Sequence, residues 1–157
     1  MIHAVDVAES QVGVAERTGK NDGIPAERYM RGDALAWCAG FVLWCNESSD
    51  DPPLAADVPT YYRLRSVASF VDWAKDRGRF FARGTQVPQR NDIVFFGDTA
   101  SDVGVKGNHV GIVTKVEAGR IHTVEGNTSN KVARRSYVTS DRTIMGFCRW
   151  GAGPMPR

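Results

Sequence analysis

The order of apolar patterns in this 157-residue chain predicts an α+β fold, with helices first and one antiparallel sheet after them. Up to Gly78 the apolar residues return at helical spacing, and from Arg79 onward they gather in short runs rich in β-branched and aromatic side chains. Helices followed by strands are the pattern of helices packed against an antiparallel sheet. The composition, 42% hydrophobic and 24% charged, is that of one globular domain long enough to bury a core, and the chain shows no internal repeat or low-complexity segment.

Ala4, Val5, Ala8 and Val12 predict a short helix that stops at Gly13. Asn21-Asp22-Gly23 and Pro25 favour turns, which makes 18–33 an ordered loop. Cys38, Phe41, Val42 and Cys45 repeat along one face and predict a buried helix from Cys38 to Asn46, with the first thiol in its opening turn. Beyond a loop over 48–60 rich in Asp and Pro, Val67, Phe70, Val71 and Ala74 mark a third helix. Ser66 is its cap, Gly78 its stop, and Trp73 lies near its apolar face. Strands are then expected at 80–81, 93–96, 110–116, 120–125 and 144–150. Gly151-Ala152-Gly153-Pro154 reads as a frayed end, so residues 1–150 form the domain and 151–157 a flexible tail.

Twenty basic and 18 acidic residues leave a formal charge of +2, too balanced for nucleic acid as the main partner. No apolar run approaches the roughly 20 residues that cross a bilayer, and the start of the chain lacks the pattern of a secretory signal. The expectation is a monomer without membrane insertion, made in the cytoplasm and released by other means if its target lies outside. Three cysteines make no complete disulfide framework, and none sits in a paired metal-ligand spacing. Cys38 and Cys45, seven residues apart on a helix, would stand about 10 Å apart, too far to bridge. Cys45 and Cys148 read as core filling. Asn21-Asp22-Gly23, with Glu27 nearby, lacks the alternating acidic pattern of a calcium loop, so no metal or cofactor is expected. Trp37, Trp44, Trp73 and Trp150 read as core or cleft walls, and Lys131, Arg134 and Arg135 as a solvated face.

The chemistry gathers in three segments: Trp37-Cys38-Ala39-Gly40-Phe41, Asn108-His109-Val110-Gly111, and Glu125-Gly126-Asn127. A thiol attacks a carbonyl carbon as its thiolate, so it needs a base, and an imidazole serves best when a third polar group holds its other nitrogen. A helix start adds a positive dipole end and free backbone amides that favour a thiolate and an oxyanion. Cys38 is the expected nucleophile, His109 the base, and Glu125 or Asn127 the orienting group. A three-residue hairpin loop at Glu117-Ala118-Gly119 would set Val116 opposite Arg120, Gly111 opposite Glu125 and His109 opposite Asn127, with His122 on the other face. Trp37 and Gly111 are expected to line the substrate cleft.

These segments, with Asn91-Asp92-Ile93-Val94-Phe95-Phe96-Gly97-Asp98 as the strand before the histidine, resemble the CHAP domain, the cysteine, histidine-dependent amidohydrolase/peptidase module of peptidoglycan hydrolases. The resemblance implies a papain-like fold and cleavage of an amide in bacterial peptidoglycan, by an N-acetylmuramoyl-L-alanine amidase or a peptide endopeptidase, in the manner of a phage or prophage lysin. Some relatives carry a glutamine before the cysteine where this chain has Trp37, and some bind calcium through an acidic motif that Asn21-Asp22-Gly23 does not reproduce. An inactive wall-binding module and a thiol amidase or peptidase for a non-wall substrate are the alternative readings.

Overall fold

The computed structural model describes residues 1–50, 62–97 and 107–150. Within them, helices α1 (Ala4–Ser10), α2 (Ile24–Tyr29), α3 (Cys38–Glu47) and α4 (Val67–Asp76) precede strands β1 (Phe80–Ala82), β2 (Ile93–Gly97), β3 (Gly107–Glu117), β4 (Arg120–Thr128), β5 (Lys131–Val138) and β6 (Ile144–Cys148). The predicted order of helices and then strands holds. The predicted tail at 151–157 and most of the predicted loop over 48–60 lie outside the described residues.

Local chemistry sets the helix ends. The Ser66 side chain accepts from the Ser69 amide to open α4, and Gly78 takes φ +65 just beyond the α4 end. Between 18 and 33, where a loop was expected, the chain forms α2, because Gly23 at φ +76 and Pro25 start a helix there instead of preventing one. Asp22 accepts from the Thr18 amide at 2.9 Å and from its hydroxyl at 2.6 Å, which fixes the turn before α2.

The six strands form one antiparallel sheet in the order β1-β6-β2-β3-β4-β5. Strand β5 was not expected. Its positions are Lys131, buried Val132 and Ala133, then Arg134 and Arg135, and the cations mask the alternation that marks a strand. It stands at the sheet edge, where charges also discourage pairing with another chain.

The hairpin between β3 and β4 corrects the expected loop and keeps the expected outcome. The loop has two residues, Ala118 and Gly119, both at positive φ, and Glu117 faces Arg120. That register alone would turn Glu125 to the wrong face. A bulge at Thr114 restores it: Lys115 pairs with His122, but Val113 pairs with Thr123 and Ile112 with Val124. Gly111 consequently sits beside Glu125, with a Cβ at Gly111 falling 2.6 Å from the Glu125 Cγ.

The larger core lies between the helices and one sheet face, where Phe41, Val42, Leu43 and Phe70 meet Ile93, Phe95, Val110, Ile112 and Val124. The other face packs Phe81, Val94, Phe96, Val113, Ile121, Ile144 and Phe147. Burying side chains of this size contributes about 1.5–3 kcal/mol each. Helix α3 rests on β3 and β4, and its Phe41 fills the space that a side chain at residue 126 would need. Among the described residues no helix is long and apolar enough to cross a membrane.

A Cβ at residue 126 would lie 2.6 Å from the Phe41 Cβ. Gly126→Ala is therefore expected to push α3 off β4 and to destabilise the fold by about 1–3 kcal/mol, read as a lowered midpoint in thermal unfolding.

Candidate active site

Trp37 precedes α3 and is completely buried. Its indole stacks on Tyr29 at 5.5 Å and donates through Nε1 to Glu16 Oε1 at 2.8 Å. It was expected to line the cleft, but an indole held on both its face and its edge does not reach substrate. What it does is fix the point where α3 begins, and Cys38 is the next residue, 9% exposed.

All three cysteines are free. Burial pushes the Cys45 thiol well above its ordinary value and the Cys148 thiol up to about 12. Both are core groups, as expected from sequence. Of the three, Cys38 alone acts on an imidazole: its side chain lies close enough to His109 to raise that ring's pKa.

His109 lies near the start of β3, opposite Phe96 on β2, with the two rings 5.7 Å apart. Its Nε2 meets Glu125 Oε1 at 2.8 Å, which leaves Nδ1 as the nitrogen available to the thiol. The Glu125 side chain is 1% exposed, that of His109 25%. Burial disfavours the charged ring, but the hydrogen bonds and negative charges of Cys38 and Glu125 outweigh it and hold His109 up at about 9. An imidazole so placed is able to accept a proton from a neighbouring thiol.

Sequence left the orienting role open between Glu125 and Asn127. The structure brings Glu125 to the ring, whereas Asn127 stands half-buried near the end of β4 at φ +56. Gly111 was expected in the cleft wall. It is buried, and its missing side chain makes room for the Glu125 stem. His122 points to the other face, as expected, beside Lys115 and Arg134.

Two groups at the site were not singled out from sequence. Tyr137 OH donates to Glu125 Oε2 at 2.9 Å, and the Thr123 hydroxyl donates to the same oxygen. Tyr137 was illegible because β5 itself was, and Thr123 was one of many strand threonines. Asp92, in the segment that leads into β2, is a structural pin. It accepts from the Gln89 amide and pairs through both oxygens with Arg149, at 3.1 and 2.9 Å. Among the described residues no group of three or more His, Cys, Asp or Glu side chains is placed to hold a metal ion.

Because Cys38 and Glu125 raise the His109 pKa, removing either contact lowers it. Cys38→Ala is expected to move the His109 titration from about 9 toward 6.5, followed by NMR of the ring. Gly111→Ala displaces the Glu125 stem and is expected to move it the same way. The sign for stability follows from a raised folded-state value. The stabilisation from the charged ring is full below about pH 6.5 and is lost as pH rises through about 9, measurable as a falling unfolding free energy that Cys38→Ala flattens.

The fold is shared with solved structures. Two crystal structures of Ly7917 superpose with TM-scores of 0.50 and 0.52 at 17% and 19% identity. The second of them is with the hydrolyzing product of MDP. Each alignment covers 92% of this chain, and the chain spans 59% and 60% of the length of those structures. No curated protein matches the chain. The papain-like α+β arrangement is thus established. The family model of the CHAP domain matches residues 30–127, well over half of the sequence and a span running from before the α3 thiol to the end of the β4 segment, and the chain belongs to that family.

Proposed function

We propose that this domain is a cysteine peptidoglycan hydrolase that cleaves an amide bond of the bacterial wall. The observation that carries the reading is the chain of contacts from the Cys38 thiol through the His109 ring to the buried Glu125 carboxylate. Membership of the CHAP family supports the amidase or peptidase class. The likeness to Ly7917 holding a product of MDP supports a wall substrate. Within that family we read the domain as a phage or prophage lysin acting at the cell wall.

In this mechanism His109 takes the Cys38 proton, and the thiolate attacks the amide carbon to form a tetrahedral oxyanion. The first amides of α3 have no acceptor within the helix, so the Cys38 N–H is free to donate to that oxyanion. One such donor is worth about 3–4 kcal/mol in the transition state. Collapse transfers the proton from His109 to the leaving amine and leaves an acyl thioester on Cys38. His109 then deprotonates water, which attacks the thioester and regenerates the thiol. Glu125 holds the ring in the required orientation throughout and stabilises its charged form.

Digestion of purified peptidoglycan, with the new termini identified by mass spectrometry, tests substrate and bond together. A freed lactyl carboxyl on the sugar with a new N-terminal alanine marks an amidase, and new termini within the stem or cross-bridge mark an endopeptidase. Cys38→Ala is expected to abolish cleavage with the fold intact, and wall cleavage that survives it would eliminate the mechanism. Cys45→Ala is expected to keep turnover and to cost roughly 0.5–3 kcal/mol of stability.

A further inference from the structure

We propose that Tyr137 and Thr123 are positioning residues that act through Glu125, clamping its carboxylate so that one oxygen stays aimed at the His109 ring. Glu125 and Thr123 are each 1% exposed, so water does not supply the donors that a carboxylate needs. Two hydroxyls supply them, both on Oε2, at 2.9 Å from Tyr137 and at close range from Thr123. Oε1 meets the His109 Nε2 at 2.8 Å and also accepts a longer, 3.2 Å bond from the shared Tyr137 hydroxyl.

The choice of donor matters. Hydroxyls carry no formal charge, so they satisfy the buried oxygen and fix the carboxyl plane without cancelling the negative charge that acts on His109. An arginine in the same place would compete with the imidazole for that charge. Arg135, which pairs with Thr123 across the β4–β5 ladder, reaches instead to the Ser129 hydroxyl at 3.3 Å. Burial and the adjacent Glu125 charge push the Tyr137 hydroxyl well above its ordinary value, so it stays a donor wherever the enzyme works. Phe96 completes the clamp, its ring 4.8 Å from Tyr137 and 5.7 Å from His109, which seats the phenol and the imidazole against one aromatic wall.

The inference rests on His109 and Glu125 serving the Cys38 thiol, and its test is separable from the identity of the substrate. Tyr137→Phe, Thr123→Val and Thr123→Ser are compared with the unaltered protein by NMR titration of His109, by thermal unfolding, and by kcat and KM on soluble peptidoglycan fragments. With the clamp loosened, Tyr137→Phe and Thr123→Val are expected to lower the His109 midpoint from about 9. They are expected to reduce kcat roughly tenfold to a hundredfold with KM little changed, while Thr123→Ser restores both readouts. An unchanged His109 titration in Tyr137→Phe and Thr123→Val would overturn the proposal, whether or not the melting temperature falls. A Thr123→Ser protein as impaired as Thr123→Val would overturn it too. The titration needs no substrate, so it decides the clamp even if peptidoglycan proves not to be cut.

Discussion

The approach of α3 to β4, with Phe41 seated where residue 126 has no side chain, is the constraint on which the site depends. It joins a thiol from the helical half to an imidazole and a carboxylate from the sheet. Each side of that contact is braced separately. Trp37 is stacked on Tyr29 and bonded to Glu16 at the helix start, and the base strand is paired on both edges, to β2 and to β4. Packed interiors do not deform continuously, so a thiol set at the start of a buried helix is held firmly in place.

Electrostatics then follow from burial. A carboxylate that is 1% exposed is tolerable because His109, Thr123 and Tyr137 all hydrogen-bond to it, and its charge raises both titrating neighbours, His109 and Tyr137. The contrast with the remaining thiols is direct. Cys45 is driven toward its neutral form by burial, and Cys148 by burial and then the Asp92 charge, whereas Cys38 stands at a helix start against an imidazole held up at about 9. Three residues of one type carry three different environments, and only one of these favours reaction.

Part of this was legible from the residues in order. The spacing of Cys38, Phe41, Val42 and Cys45 marks α3, which the fold buries on nearly every side rather than along that one stripe, and Ser66 and Gly78 mark the ends of α4 because caps are local chemistry. Helix α2 was missed because Gly23 and Pro25 signal a turn and a helix start equally well. Strand β5 was missed because Lys131, Arg134 and Arg135 stand where an interior strand would show apolar alternation. The hairpin loop was assigned one residue too long, and only the bulge at Thr114 brought the site end of β3 back to the expected register.

The sequence by itself determined the class of fold, the helix-start thiol and the set of side chains able to act with it, because spacing and residue chemistry are properties of short segments. The tertiary structure alone decided that Glu125 meets the His109 ring, that Trp37 is an anchor and no part of a cleft wall, and that Thr123 and Tyr137 complete the carboxylate's shell. Those choices turn on strand register, a single bulge and the closeness of two elements distant in the chain. They are set by packing across the sheet, which no local pattern encodes.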